Sequence, residues 1–461
     1  MSENMLSKSD SALIQEIEEL QDSFGKTIQK LIRDIKRQNK IMVRADKRQK
    51  QEYDELQRKL EEVQNLQLAQ KNLLDSFIKL IAGAIDAKSP YTGGHCERVP
   101  ILSMMLAKEA SKSQEGIFAS YTIENEDQQR ELEIASWLHD CGKVVTPEYV
   151  VDKATKLETI YNRIHEIRTR FEVIHRDLTI EALQKKLDGQ DAKEVDVWLE
   201  TEHKKLQEEF KIVADANIGT EFMKDEDKEK IHQIASRTWV RNFDDTLGLA
   251  HEEKQRILAE GTQTPQVENL LSDKKRHIIP RLHFDYEEYK RMGFKTRVPE
   301  QLYNFGELYN LCISAGTLTY EERFKIQEHV QMTIKMLEQL PFPNHLKNVP
   351  LYAGAHHETL IGTGYPRELT KDDMPIPSRI MAIADVFEAL TASDRPYKEP
   401  KTLSQSIKIL SFMVKDQHLD KDIFELFLKS GIYLEYAKNY LKPKQIDEVN
   451  IEQYLNTKER G

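Results

Sequence analysis

Apolar residues near the start of the chain recur at helical spacing. Leu13, Ile17, Leu20, Phe24 and Leu31 follow four-, three- and seven-residue steps with charged residues between them, and Tyr53, Leu56, Leu60 and Val63 continue at three-four-three. Such a seam serves either a coiled coil or an amphipathic helix packed on its own domain. The stretch from Arg44 to Gln51 is so polar that the seam must weaken or turn there, which predicts two helices or one interrupted coiled coil. From Asn72 the pattern grows richer in apolar positions, through Leu73, Leu74, Phe77, Ile78, Leu80 and Ile81, until the break at Ser89-Pro90 and Gly93-Gly94. A second helical block, Glu131 to His139, turns Ile134, Ala135 and Leu138 toward a core and ends at His139-Asp140-Cys141-Gly142-Lys143.

After Pro147 the texture becomes long, charged and helical in period from about Ala154 to Ala315. Its segments Leu183 to Ile212 and Lys228 to Leu258 are expected to form an αα-hairpin, with a loop near Gly261 to Pro265. The apolar-and-histidine texture returns with Leu318 to Leu340 and closes with Arg379 to Leu390, an apolar helix carrying Asp385. These shifts predict a helical segment over residues 1–75, a helical domain over 76–440 interrupted by a helical insertion at 154–315, and a tail at 441–461.

Composition narrows the class. The 461 residues are 39% hydrophobic and 31% charged, with only 18 Gly and 15 Pro, which suits long solvent-washed helices and an all-α fold. A net charge of -11 argues against bulk binding to a nucleic acid polymer or an anionic membrane, while leaving room for a local phosphate pocket. Cys96, Cys141 and Cys312 are odd in number and far apart, so reduced thiols and a cytoplasmic location are expected. No run approaches the ~18 apolar residues of a membrane span, and the first residues lack the apolar core of a secretory signal.

The candidate chemistry lies in clusters. His139-Asp140, His356-His357 and the separate His95, His329 and Asp385 supply imidazole and carboxylate, a mixture that suits Fe, Mn or Zn better than Ca or Mg. Adjacent helical residues point about 100° apart, so His139 and Asp140 share one ion only at a helix end, or Asp140 bridges two. Bridging is the preferred reading. Two ions about 3.5–4 Å apart can present a hydroxide for in-line attack on a phosphodiester and neutralise its oxygens. Lys143, three residues after Asp140, would complete the charge clamp. Cys141 has no histidine tied to it by motif, and Gly362 and Gly364 do not open a phosphate loop of the Gly-Lys-Ser/Thr kind.

The ordered pieces Thr92-Gly93-Gly94-His95, His139-Asp140-Cys141-Gly142-Lys143, His329, His356-His357-Glu358, Gly364-Tyr365-Pro366, Asp385 and Asp394-Arg395-Pro396-Tyr397 resemble the HD-GYP family of phosphohydrolases. The resemblance covers roughly residues 76–153 and 316–415. It implies an α-helical HD-domain bundle that hydrolyses cyclic di-GMP with divalent ions, two of Fe or Mn, and with Asp140 and Lys143 in catalytic roles. It further implies one ion on His139, Asp140 and Asp385 with His95 nearby, and a second on His329, His356 and His357 with Asp140 shared. Lys143, Tyr365, Arg395 and Lys398 match its substrate-contacting positions. The implied partners are cyclic di-GMP, a second copy of the chain, and signalling proteins at the N-terminal helices, the insertion or the Gly-Tyr-Pro loop. Another cyclic dinucleotide or a nucleotide monoester as substrate, and a non-hydrolysing receptor, are the rival readings.

Three departures bear on these expectations. The long insertion separates the His-Asp block from the next metal histidine and brings His165 and His175 as competitors for the role given to His329. Glu388 stands where the family more often has Asp. Tyr91 occupies the position, four residues before His95, where some members carry a Glu able to help hold a third ion. A phenol with an ordinary pKa of about 10 is a poor ligand at neutral pH, so two ions are expected.

Overall fold

Helix α1 (Glu3–Lys88) contains no proline and is dominated by Glu, Lys, Gln, Leu and Ile, residues that favour a helix whatever surrounds them. The computed structural model describes residues 3–88, 94–123, 125–219, 222–261, 263–392 and 400–455. The chain divides into two units, Met1–Phe77 and Ile78–Gly461. In the first unit, of the two alternatives at Arg44 to Gln51, a turn or a weakened seam, the turn does not occur. Apart from Asp46, every residue of that stretch is a good helix former, and Arg48 pairs with Glu52 one turn on at 2.9 Å. Polarity therefore interrupts the apolar seam while the backbone helix continues. The seam itself is open to solvent, with Leu13, Phe24 and Leu60 at 60%, 68% and 55% exposure.

The second unit begins with the end of α1, where Ile78, Ala82 and Ile85 are buried. Helices α2 (His95–Lys112) and α3 (Glu126–Leu138) follow, then a 3-10 turn, Cys141–Val145, and the short α4 (Glu148–Val151). Asn125 caps α3 by accepting from the Gln128 amide, so the helix is fixed at its start and delivers His139 at its end.

The insertion comes next: α5 (Ile164–Leu187), α6 (Ala192–Ile218), α7 (Asp225–Ala235), β1 (Thr238–Arg241), α8 (His251–Leu258), β2 (Gln266–Asn269), β3 (Ile278–Pro280), α9 (Tyr286–Arg291), β4 (Gln301–Asn304) and α10 (Glu307–Leu311). It has its own core, in which Leu157, Ile167, Phe171, Leu206, Val213, Ile231, Leu270 and Leu311 come together. The helical hairpin is made by α5 and α6, not by the segments starting at Leu183 and Lys228. Asp191 accepts from the amides of Lys193 and Glu194, and that cap starts α6 in the middle of what the periodicity took for one helix. The insertion also contains two antiparallel strand pairs, β1 with β2 and β3 with β4, where an all-helical insertion was expected. In β1 the Trp239-Val240 pair favours an extended chain, and Arg241 is tied across the pair to Glu268 at 2.6 Å. A partly buried Arg170–Glu307 ion pair joins α5 to α10 at 2.5 Å.

The chain then forms α11 (Tyr320–Glu338), α12 (Val349–Gly354), α13 (Ile376–Thr391), α14 (Leu403–Lys415), α15 (Lys421–Lys429) and α16 (Ile432–Tyr440). Thr319 and Glu322 form a capping box at the start of α11, and Glu322 also takes the buried ammonium of Lys153 at 2.8 Å. Helices α2, α3 and α13 pack together, and α14, α15 and α16 close the far side of the core through Ile407, Phe424, Phe427 and Tyr436. Leu441, Ile446, Val449 and Ile451 lie against the same core, and Gln445 donates to the Thr391 carbonyl at 2.8 Å. The fold is mostly α, with the two small sheets confined to the insertion.

Candidate metal centre

Five helices bring seven side chains to one place. His95 opens α2, His139 caps the C-terminus of α3, Asp140 starts the 3-10 turn, His329 lies within α11, His356 and His357 follow α12, and Asp385 lies mid-way along α13. The potential ligand atoms fall into two groups, His95 with His139 and Asp140, and His329 with His356 and His357, each within 4.8 Å.

Asp140 stands between the groups. Its Oδ2 lies 3.2 Å from His95 Nε2 and 3.3 Å from His139 Nε2, while its Oδ1 lies 3.3 Å from His329 Nε2 and 4.0 Å from His356 Nε2. Asp385 Oδ1 joins the first group at 3.2 Å from His95 Nε2 and 3.7 Å from His139 Nε2. The carboxylate expected to bridge thus turns one oxygen to each histidine group.

The histidines are oriented from behind. The Nδ1 of His139 faces the Ser136 carbonyl at 2.7 Å, that of His329 the Ile326 carbonyl at 2.5 Å, and that of His356 the Ala353 carbonyl at 2.6 Å. A carbonyl only accepts, so each Nδ1 carries a proton and leaves Nε2 as the nitrogen that faces inward and can offer a lone pair to a cation. The Nδ1 of His95 is held by Glu388, whose other oxygen accepts from Arg98 Nε at 2.6 Å. The Nε2 atoms of His95, His139, His329 and His356 are buried and hydrogen bond to nothing. Four orphaned imidazole nitrogens around two carboxylates would be costly unless cations complete them. The donor set therefore fits divalent metal ions, with the carbonyls and Glu388 fixing each ring's tautomer.

The two groups differ electrostatically. Burial opposes a charge on His95 and His139, but the Asp140, Asp385 and Glu388 carboxylates outweigh it, lifting His95 well above its ordinary value and His139 to about 9. Burial, then neighbouring imidazoles, push His356 down to about 3 and His357 well below the usual range. Burial also resists ionisation of Asp140 and Asp385. Lys143 and His139 overcome it at Asp140, and His139 and His95 overcome it at Asp385, leaving both carboxyls well below their ordinary values. One half of the site is rich in carboxylate, and the other offers the neutral imidazoles of His356 and His357.

Lys143 Nζ sits 2.5 Å from Asp140 Oδ2. Tyr365 stacks on His357, with ring centroids 4.9 Å apart and planes at 20°. Its loop is pinned by Glu358, which accepts from the amides of Arg367 at 2.6 Å and Leu369 at 3.0 Å. His165 and His175 lie on α5, where His175 stacks on His203, so neither reaches the cluster. Arg395, Lys398 and Tyr91 lie outside the described residues.

Sequence reasoning gave no role to Arg98 or Thr333. Thr333 accepts from the Gly142 amide at 2.9 Å and donates to the His139 carbonyl at 3.1 Å, binding the His-Asp turn to α11. The only local signal for Arg98 is its position one turn beyond His95, since its partner Glu388 is 290 residues away.

The family model for the HD domain matches residues 265–423, a span that holds His329, His356, His357, Tyr365 and Asp385. His95, His139 and Asp140 fall before it, on the other side of the insertion. Among curated proteins, the chain is 33% identical over 151 residues to 3'3'-cGAMP-specific phosphodiesterase 1 of Vibrio cholerae, covering 31% of this chain and 34% of that protein. It is 38% identical over 115 residues to 3'3'-cGAMP-specific phosphodiesterase 2 of the same organism, covering 25% of this chain and 21% of the relative. It is also 32% identical over 119 residues to a cyclic di-GMP phosphodiesterase of Thermotoga maritima, covering 26% of this chain and 32% of the relative. The matches thus take in about a third or less of the relatives' lengths. Residues 265–423 thus match the HD domain, and the chain is similar over part of its length to cyclic-dinucleotide phosphodiesterases, with two histidine groups that meet at Asp140.

Proposed function

We propose that this protein is a metal-dependent phosphodiesterase that opens cyclic di-GMP by hydrolysis. The observation that carries the reading is Asp140, with one oxygen toward each of two groups of buried, unpartnered imidazole nitrogens. His95, His139, Asp140 and Asp385 would hold one ion, and His329, His356 and His357, with Asp140 shared, would hold the other. Fe and Mn suit this mixture of imidazole and carboxylate. Bound there, the ions would supply Lewis acidity at phosphorus and an activated water. The protein's own part is to fix the imidazoles from behind, to present Lys143 to a phosphate oxygen, and to set the Tyr365 ring beside the second histidine group. Arg395 and Lys398 are proposed as further substrate cations on the resemblance alone.

A second reading, hydrolysis of 3'3'-cGAMP, is favoured by relatives named for that activity. Purified protein loaded with Mn or Fe(II) and offered both dinucleotides side by side, with products separated by chromatography, distinguishes them. Cleavage of neither, by protein that has bound its ions, would overturn the enzyme reading in favour of a receptor.

Lys143→Ala is expected to retain its metal, because removing an ammonium from Asp140 leaves the carboxylate free for a cation. Its kcat/KM should fall by about a hundredfold, the scale of losing one donor to a transition-state charge. Metal analysis beside steady-state kinetics checks this, and loss of metal would show that Lys143 has been given the wrong role.

The N-terminal seam is proposed to pair with a second copy of the chain. Leu13, Ile17, Leu20 and Phe24 are all exposed, at spacing suited to a partner helix. Deleting residues 1–71 is expected to leave a folded unit and to convert a dimer to a monomer in sedimentation velocity, with activity altered. Unchanged mass and rate would favour a seam with no such partner. A cytoplasmic location is consistent with three free cysteines, and no helix among the described residues is long and apolar enough to cross a membrane.

A further inference from the structure

We propose that Asp86 and Lys88, on the last turn of α1, are positioning residues that brace the carboxylate-rich metal group from two sides. The proposal rests on the two-ion reading and adds to it the groups that hold the backbone of that site in place.

Asp86 addresses the His95 side. The residue at the N-cap of α2 is Gly94, which has no side chain with which to cap the helix. Asp86 supplies the missing acceptor, taking the Gly94 amide on Oδ2 at 3.0 Å and the Cys96 amide on Oδ1 at 3.4 Å. The two amides flank His95, so the carboxylate holds the backbone on both sides of that ligand.

Lys88 addresses the Asp140 side. Its Nζ donates to the carbonyls of Lys143 at 2.9 Å and Val144 at 2.5 Å. Both belong to the 3-10 turn that follows Asp140 and carries Lys143. The two braces lie two residues apart on α1, yet they hold segments more than forty residues apart in sequence. They act on where His95 and Asp140 sit, and both end the helix whose earlier turns bear the exposed apolar seam.

The test uses the full chain, stripped of metal and titrated calorimetrically with Mn2+, comparing wild type with Lys88→Met, Lys88→Arg and Asp86→Asn. The wild type should show two binding steps. Lys88→Met should weaken one step by about 10- to 100-fold, as loss of a supporting outer group does, and leave the other intact. It should lower kcat with KM unchanged, and Lys88→Arg, which keeps a cationic donor, should restore most of both. Asp86→Asn should weaken the same step. If a folded Lys88→Met titrates like wild type, or if both steps weaken alike with a lowered melting temperature, the positioning role is overturned. Two binding steps without turnover in wild type would remove the proposed activity while leaving this effect measurable. Absence of two steps in wild type would overturn the two-ion reading and this inference with it.

Discussion

Asp140→Ala is expected to reduce hydrolysis below detection and to empty at least one of the two ion positions. Asp140 is the only described carboxylate that reaches both histidine groups, with Oδ2 at 3.2 Å from His95 Nε2 and Oδ1 at 3.3 Å from His329 Nε2. Without it, two divalent cations would face each other with no shared anion, and the imidazole-only group would have no carboxylate at all. Lys143 would lose its 2.5 Å partner and add a loose positive charge beside the site. Asp385→Ala is the informative companion. Asp385 contacts only His95 and His139 among the histidines paired with it, so its loss should weaken the first ion and spare the second. Elemental analysis of both variants, beside turnover with Mn2+, separates the two cases. Hydrolysis by Asp140→Ala at a rate near wild type would overturn the metal assignment as a whole.

How far the site could be read from sequence depended on whether a residue's role is set by its own chemistry or by a distant partner. His139-Asp140 and His356-His357 were legible because paired metal-ligand residues at helix ends are uncommon without a shared purpose, and the structure sets both pairs in one cluster. Glu388 was visible only as a departure from a pattern. Its bond to His95 joins residues 293 positions apart, and no local period reports such a contact. The same limit explains the fold. The apolar period of α13 marked a buried helix, and Ile380, Ile383 and Phe387 are fully buried. In the insertion, periodicity ran through the turn at residues 188–191 because charged helix formers lie on both sides, and the break is marked only by Gly189 at positive φ and the Asp191 cap. In α1 the sequence left a turn and a weakened seam open, because a polar stretch can interrupt a seam without ending a helix.

Gly142→Ala is expected to destabilise the protein and to cost it the second ion, although it adds one methyl group and touches no ligand directly. A Cβ at Gly142 would lie 1.9 Å from the His329 carbonyl oxygen and 2.6 Å from the Thr333 amide nitrogen. Both are backbone atoms of α11, so no side chain can rotate away. The turn carrying Asp140 docks here directly on the helix carrying His329, clamped by the Gly142 amide on Thr333 Oγ1 at 2.9 Å. A methyl group must push the two apart, widening the 3.3 Å separation of Asp140 Oδ1 and His329 Nε2 on which a shared ion depends. Overpacking a tight contact costs about 1–3 kcal/mol, and a collision with rigid backbone belongs at or above the upper end. Gly83→Ala is the control, because nothing lies within 4 Å of its Cβ and alanine suits a helix interior better by about 0.5–1 kcal/mol. Chemical denaturation and Mn2+ titration of the two variants should therefore diverge. Gly83→Ala keeps both binding steps with equal or greater stability, whereas Gly142→Ala loses stability and, under conditions where it remains folded, binds Mn2+ in fewer steps. A folded Gly142→Ala with wild-type Mn2+ affinity would show that the close approach of turn and helix is not what sets the distance between Asp140 and His329.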